Sequence, residues 1–257
     1  MPNELLFGIT ESGVMNSGSD PPIPLEKKFK MVKESGVYDY FDKTPPKALV
    51  KEYLRCSEKF DLPILAGGWY YVLGRDEDML MENLRIGGHL GSIVHNTQIM
   101  MDHADGQLVT DEQVAKIYMK AFEIGDKTGC KPTFEVHVNM WSEDFLRVEK
   151  VAEIVENNGI PFKMTLDHSH VIFKIDNPRE QEVFRIFKSI KKGDLVLDPF
   201  KKNHICGKWI KRNFVDHCHA RSVAPNNPRN IWMHHPSLDK LSSQHPKYTV
   251  GRGIQYP

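Results

Sequence analysis

Hydrophobic positions along the chain follow two alternating patterns. Short apolar or β-branched runs predict strands, and segments with apolar residues at helical spacing predict the helices between them. Most of these helical segments close on a glycine, which is a common helix stop. The predicted strands are 6–10, 37–43, 62–68, 92–99, 132–138, 161–171, 213–221 and 251–257, and the predicted helices are 25–36, 46–61, 76–91, 110–129, 142–159 and 178–194.

Eight strands that alternate with helices in 257 residues are typical of a (β/α)8 barrel, because an open doubly wound sheet has fewer strands. We therefore predict an α/β chain with one TIM-barrel domain over residues 1–257. No segment follows the last strand to form an eighth helix, so the outer ring would lack one member. The gap would stay open, or the N-terminal segment or a partner chain, as in a homodimer, would fill it.

Composition narrows the classes of partner. The chain has 34 Lys and Arg against 34 Asp and Glu, so its formal net charge is zero with neutral histidine. It therefore lacks the broad basic field on which non-specific nucleic-acid binding depends. No signal-peptide pattern and no bilayer-length apolar run is present, and the widely spaced cysteines suit a reducing compartment, so we expect a cytoplasmic protein without a membrane partner. The cysteines are Cys56, Cys130, Cys206 and Cys218.

Charged side chains occupy the inward phase of predicted strands five and six. Phe134 and Val136 form part of the apolar face of strand five, so Glu135 and His137 point to the opposite face, the lumen. The same alternation turns Asp167 of strand six inward. A buried carboxylate is costly unless it is paired or used, which favours function over a purely structural ion pair.

Histidines gather at the same end of the predicted barrel. His170 follows Asp167 by three residues, and a turn at the strand end would bring it back beside that carboxylate. On strand seven His217, His219 and Arg221 share one face at period two. Two imidazoles beside a glutamate and an aspartate supply the mixed nitrogen and oxygen ligands of zinc, manganese or cobalt, so we predict a divalent metal site.

Four further residues are candidates for the lumen. His95 lies on strand four and Glu11 lies at the end of strand one. Trp69 and Tyr70 come directly after Gly67 and Gly68, which we interpret as the turn that ends strand three. An indole at a barrel mouth either stacks on a sugar ring or fills the opening.

The order of these residues, a glutamate on strand five, Asp-x-x-His on strand six and a histidine on strand seven, resembles the xylose-isomerase-like barrel superfamily. That superfamily includes sugar-phosphate isomerases and epimerases and the endonuclease IV type of apurinic endonuclease. The resemblance covers nearly the whole chain. It implies that Glu135, Asp167 and His219 bind the metal and that His170 and Arg221 contact the substrate.

The resemblance also implies the chemistry, with one departure. The expected reaction is isomerisation or epimerisation of a sugar or sugar-like hydroxy-carbonyl compound through a metal-stabilised enediolate, in which Glu135 or His170 moves the proton. Manganese, cobalt, zinc and magnesium all suit the ligands. The superfamily's fourth ligand is a glutamate on strand eight, where this chain has Gln255, which cannot act as a base. Besides His170 and Arg221, the predicted substrate contacts are His95, His137, His217 and Trp69.

Other functions stay open at this level. A one-base isomerase or a lyase would not need the missing carboxylate. A barrel that binds a polyol or a partner protein without turnover would need no metal at all. An endonuclease would need further metal ligands and a cationic surface for the phosphate backbone, so the neutral charge counts against it.

Overall fold

The computed structural model describes residues 5–14, 22–183, 186–221, 223 and 225. Its strands form one parallel sheet in the order of the sequence, with helices in the connections. This sequential order is that of a (β/α)8 barrel, so the predicted α/β fold class is confirmed. The predicted eighth strand at 251–257 lies outside the described residues. The strands are β1 (Gly8–Thr10), β2 (Tyr40–Asp42), β3 (Ile64–Tyr71), β4 (Val94–Ile99), β5 (Lys131–Glu135), β6 (Met164–Asp167) and β7 (Val215–His219).

The described helices begin and end close to the predicted boundaries in the first two-thirds of the chain. α1 ends at Gly36, whose φ of 63° is the left-handed conformation that glycine adopts easily. None of the described helices is both long enough and apolar enough to cross a membrane. The helices are α1 (Leu25–Ser35), α2 (Val50–Phe60), α3 (Glu77–Leu90), α4 (Asp111–Thr128), α5 (Phe145–Asn157), α6 (Ser169–Ile172), α7 (Pro178–Val183), α8 (Phe187–Lys192) and α9 (Ile205–Lys211).

The chain divides into two compact units. The first unit comprises residues within 1–69, 78–96 and 120–132. Its core is built where α1 and α2 meet the strands: the ring of Phe29 stacks on Phe41 with centroids 4.3 Å apart, and Tyr53 meets Phe29 edge-on. Cys56 and Ile64 are buried in the same cluster.

The second unit comprises residues within 70–77, 97–119 and 133–257. Tyr118 packs against Phe134 and Phe162, with ring centroids 4.9 and 5.1 Å away. Its hydroxyl donates to the carbonyl of Pro161 and accepts from the backbone N–H of Lys163. This unit carries β6 and β7 entire, and with them the predicted metal ligands.

The prediction that β3 ends in a glycine turn is wrong, because the strand continues to Tyr71. A Cβ at Gly67 would lie 2.1 Å from Thr44 Oγ1, and a Cβ at Gly68 would lie 2.8 Å from the carbonyl oxygen of Asn96. Both glycines therefore permit close approach of neighbouring strands rather than a turn. As a result Trp69 lies within the strand and not after it.

β5 and β6 end earlier than predicted, and polar side chains end them. Asp167 Oδ1 accepts hydrogen bonds from the backbone N–H and the hydroxyl of Ser169, which turns the chain directly into α6. The hydroxyl of Ser142 donates to the carbonyl of Glu135 at 2.6 Å. Glu135 and Asp167 are consequently the last residues of their strands.

The helix predicted over 178–194 is two shorter helices, α7 and α8, in the described residues. The backbone N–H of Ile186 donates to the carbonyl of Gln181, five residues back, where a continuous α-helix would use the residue four back. The pattern predicts no helix between the helix at 178–194 and the strand at 213–221, and α9 lies there. The side chain of His204 caps it by accepting from the N–H of Gly207, a role in which histidine gives little sequence signal.

Candidate metal centre

Three predicted ligands meet at the carboxyl ends of neighbouring strands in the second unit. Glu135, Asp167 and His219 are the last residues of β5, β6 and β7, and we call them the strand-end triad. Asp167 pairs directly with His219, and Glu135 pairs with Thr165, which lies two residues before Asp167 on the same face of β6. The carboxyl ends of the strands are where active sites lie in this class of fold.

The spacing and the donors of the strand-end triad fit a divalent cation. His219 Nδ1 lies 2.9 Å from Glu135 Oε1 and 3.9 Å from Asp167 Oδ2. One ligand atom of each residue lies within 4.8 Å of the others. Ligand atoms about 2.1 Å from a metal ion lie about 3 to 3.5 Å from one another, so the observed contacts bracket that value. Two carboxylates and an imidazole could therefore hold an ion here.

Glu135 is completely buried and still carries a charge. Burial raises its pKa, but the hydrogen bond from His219 and the positive charges of His219, His137 and His170 outweigh burial, and the pKa is lowered to about 2. Gln98 Nε2 also donates to Glu135 Oε2 at 2.5 Å. Gln98 was not among the predicted site residues, because an uncharged amide within a strand carries no sequence signal of its own.

Asp167 is held as an anion by several donors. Burial raises its pKa, but the neighbouring imidazole of His170, the charge of Arg221 and the hydroxyl of Ser169 bring it below the usual range. Arg221 Nη2 lies 2.8 Å from Asp167 Oδ2. The guanidinium therefore lies against an oxygen of the strand-end triad, where it could also donate to a substrate oxygen or phosphate.

His170 lies beside Asp167, at the position where a turn after the strand would bring it. It is buried in α6 with its Nε2 3.3 Å from Asp167 Oδ2, and burial is the largest of the causes that lower its pKa to about 4. The ring of His137 lies 4.1 Å from that of His170, centroid to centroid. His137 comes after the end of β5 rather than within the strand, and its Nδ1 lies 2.7 Å from the carbonyl of Val138.

His217 belongs to a layer of hydroxyl groups further down the strands. Its Nδ1 lies 3.3 Å from Thr165 Oγ1, which lies 2.7 Å from Thr133 Oγ1. Burial, followed by the charge of His219, lowers the pKa of His217 to about 4. This residue is therefore a neutral hydrogen-bonding group, and its predicted contact with substrate stays a prediction.

The other predicted contacts belong to the first unit or lie outside the described residues. His95 is buried with its Nδ1 3.1 Å from Thr44 Oγ1, and burial lowers its pKa to about 3. Trp69 is 42% exposed and so leaves part of its indole accessible. Glu11 forms ion pairs with Lys28 at 2.9 Å and Lys43 at 3.0 Å. Gln255, the predicted fourth ligand, lies outside the described residues.

A second cluster of charged side chains lies in the same unit, and the sequence did not predict it. Lys174 Nζ lies 2.7 Å from Glu143 Oε1 and 3.5 Å from Glu180 Oε2, and all three side chains are buried. We call these three residues the lysine cluster. Burial and the charge of Glu180 raise the pKa of Glu143 to about 7, against the opposing charge of Lys174. Each residue lies in a predicted helix or loop, where a charge is normally solvated, so the hydrophobic pattern could not reveal the cluster.

No family model matches the chain, and no curated protein matches it either. Solved structures do resemble it. They include a 3-keto-D-glucoside 4-epimerase from E. coli (TM-score 0.55, 12% identity, 97% of this chain and 90% of that one) and a D-allulose 3-epimerase from Methylomonas sp. (0.53, 11%, 98% and 92%). A third is a xylose isomerase domain protein from Salmonella typhimurium (TM-score 0.51, 15% identity). That alignment covers 68% of this chain and 65% of the Salmonella chain, so this chain spans about two-thirds of that protein's length.

At these identities the likeness shows the fold. That fold is shared with barrels named as sugar epimerases and with a xylose isomerase domain protein. Membership of the superfamily that the sequence resembles stays a prediction. The activities in the names of the other proteins belong to those proteins.

Proposed function

We propose that the chain is a divalent-metal-dependent isomerase or epimerase that acts on a sugar or a sugar-like hydroxy-carbonyl compound. The observation that carries the proposal is the strand-end triad, which gathers two buried carboxylates and an imidazole at the carboxyl ends of three adjacent strands. Support comes from the fold, which the chain shares with structures named as sugar epimerases.

Glu135, Asp167 and His219 would hold the metal, with Gln255 as the predicted fourth ligand. Two carboxylates in the set favour manganese or magnesium, while the imidazole also suits cobalt or zinc. When bound, the ion would polarise the substrate carbonyl and make the neighbouring C–H more acidic. Because the ion would increase the acidity of this C–H group, the protein need supply only one well-placed base.

His170 and Glu135 are the candidate bases. His170 is neutral near pH 7, because burial lowers its pKa to about 4, and it can therefore accept a proton. Asp167 Oδ2, 3.3 Å from His170 Nε2, would stabilise the imidazolium that results. Glu135 is an anion and could share this task. Arg221, whose Nη2 contacts the same oxygen of Asp167 as His170 Nε2 does, would donate to the substrate oxygen.

Metal content tests the proposed site directly. The full-length chain loaded with Mn²⁺ and freed of excess ion should carry about one manganese per chain by elemental analysis, and Asp167→Ala and His219→Ala should lose it. Asp216→Ala is the matched control, because Asp216 lies on the same strand and pairs with Lys163 instead. Absence of manganese in the wild type, or full content in Asp167→Ala, would overturn the site.

Turnover tests the chemistry. On a panel of ketoses, aldoses and their phosphates, Glu135→Gln should lower turnover at least about 100-fold while the folded state persists, since it removes both a ligand and a candidate base. Glu153→Gln, an exposed position on α5, is the control and should keep full activity. Equal turnover in a folded Glu135→Gln protein would sink the mechanism.

The second candidate function is a barrel that binds a polyol without turnover. The ion pair between Arg221 and Asp167 favours it, because a guanidinium at 2.8 Å neutralises a carboxylate that a metal would otherwise use. In that case the wild type would bind no manganese, and Arg221→Ala would weaken sugar binding. The metal count therefore separates the two candidates.

A further inference from the structure

We propose that the second unit carries another cation site, formed by Glu135, His137 and His170, and that this site selects Zn²⁺. We call it the imidazole site. It shares Glu135 with the strand-end triad and takes its other ligands from His137 and His170, so it goes beyond the proposed function. With an ion bound, His170 would be a ligand, and Glu135 would remain as the candidate base. It would give the carboxyl end of β5 two adjacent cations.

Geometry brings the three residues together. One ligand atom of each lies within 4.8 Å of the others. Glu135 ends β5, His137 follows two residues later, and His170 comes from α6. Two ligands of one ion are about 3 to 3.5 Å apart, so the ligand atoms would move closer together by at most about 1.5 Å when the ion binds.

The hydrogen bonding of His137 prepares one of its nitrogens for a metal. Its Nδ1 lies 2.7 Å from the carbonyl oxygen of Val138, and a carbonyl oxygen can only accept. Nδ1 must therefore carry the proton, which leaves the lone pair on Nε2. Histidines that bind metals are generally held in this way, by a backbone carbonyl or a carboxylate on the other nitrogen.

His170 offers a buried nitrogen that still lacks a hydrogen bond. The side chain is 1% exposed, and Nε2 makes no hydrogen bond to the described residues, although Asp167 Oδ2 lies 3.3 Å away. A buried polar atom without such a bond costs free energy unless a ligand satisfies it. The ring centroids of His137 and His170 are 4.1 Å apart, so the two imidazoles are in direct contact.

Glu135 has an oxygen for each site. Oε1 faces His219 at 2.9 Å, and Oε2 accepts from Gln98 at 2.5 Å. Each carboxylate oxygen has two lone pairs, so the hydrogen bond from Gln98 leaves Oε2 able to bind an ion. A carboxylate shared in this way is compatible with two ions about 3.5 to 4 Å apart.

The donors of the two sites predict different ions. The imidazole site has two imidazoles and one carboxylate, which is the ligand set of many catalytic zinc sites. The strand-end triad has two carboxylates and one imidazole, a harder set that suits manganese or magnesium better. We therefore expect one Mn²⁺ in the strand-end triad and one Zn²⁺ in the imidazole site when both ions are supplied.

Titration of the Mn²⁺-loaded full-length chain with ZnCl₂ tests the inference, with both metals counted by elemental analysis after desalting. The wild type should hold one manganese and one zinc. His137→Phe and His170→Phe keep an aromatic ring but no ligand, so zinc affinity should fall at least about 100-fold while manganese stays. Asp167→Ala and His219→Ala should lose manganese and keep zinc. His168→Ala, on the same turn, is the control and should keep both.

Unchanged zinc binding in His137→Phe would overturn the imidazole site, as would displacement of manganese by zinc one for one. Because His137 is only partly buried, that variant serves even where His170→Phe does not fold. One manganese that depends on Asp167, without any zinc, would leave the proposed function standing and remove this inference. Zinc binding that depends on His137, without any manganese, would support the imidazole site and remove the metal of the proposed function.

Discussion

Glu135 and Glu143 are two buried glutamates, eight residues apart, whose surroundings give them opposite properties. Neither side chain is exposed. The histidines around Glu135 overcome the effect of burial, and its pKa is about 2. Glu143 shares the single ammonium of Lys174 with Glu180, and its pKa is about 7. The ratio of cationic to anionic neighbours, and not burial itself, decides which carboxylate stays charged.

The two groups accordingly have different tasks. The negative charge of the strand-end triad is available to a bound cation. In the lysine cluster, by contrast, the two glutamates form ion pairs with Lys174. Glu143 Oε2 accepts from the backbone N–H of Asn139, a residue held at φ 65°, so the cluster fixes the loop that follows β5. The lysine cluster therefore supports the chain between Glu135 and α5.

The largest expected effect comes from removing the cation of the lysine cluster. Lys174→Met leaves two buried carboxylates without a counter-ion and should lower the free energy of unfolding by about 3 to 5 kcal/mol in urea denaturation. Lys127→Met removes a pair of similar length, 2.6 Å to Glu123, but an exposed one, so it should cost about 0.5 kcal/mol or less. Equal losses in the two variants would show that burial of the pair has no energetic weight.

A pH effect of intermediate size should distinguish Glu143 from Glu135. The folded-state pKa of Glu143 lies above its ordinary value of 4.5, so between about pH 4.5 and 7 the folded state binds more protons than the unfolded state. Its contribution to stability is therefore lost as pH rises through that window. Glu135 has a lowered pKa, and its contribution is lost only as pH falls below 4.5.

Comparison of the wild type with Glu143→Gln isolates the first of these contributions. Relative to the variant, the wild type should lose at least about 1 kcal/mol of unfolding free energy between pH 5 and pH 7.5, since one pKa unit corresponds to about 1.4 kcal/mol. Chemical denaturation at a series of pH values measures it. A difference that does not change with pH would mean that Glu143 titrates normally.

The smallest expected effect concerns Gln98, which positions Glu135. Gln98→Leu removes the amide that donates to Oε2 and should weaken Mn²⁺ binding about 10-fold, as loss of a group that orients a ligand commonly does. Metal titration measures this, and Gln107→Leu at an exposed position is the control. Unchanged affinity in Gln98→Leu would show that the histidines alone orient Glu135.

Local pattern was enough to place the strand-end triad. Successive side chains of a strand lie on opposite faces of the sheet. Phe134 and Val136 lie on the apolar face, so Glu135 lies on the opposite face. The same rule places His217 and His219 on one face. Strand order follows from the regular alternation of strands and helices. These features depend on a few neighbouring residues, and for that reason a single sequence predicts them.

Glycine and uncharged polar residues were harder to interpret. Gly67 and Gly68 look like a turn in the sequence, yet they lie inside β3 because Thr44 and Asn96 approach them closely. Gln98 and Ser142 carry no charge that would mark them as buried or functional. Their roles arise from contacts with residues far away in the sequence.

The sequence by itself determined the order of the strands and the faces on which Glu135, Asp167 and His219 lie, because backbone periodicity sets both. Only the tertiary structure decided which charges are paired: that Lys174 lies between Glu143 and Glu180, and that Arg221 lies against Asp167. Electrostatic interactions act through space over a few ångströms, so the charge that a buried group keeps depends on neighbours that only folding brings to it.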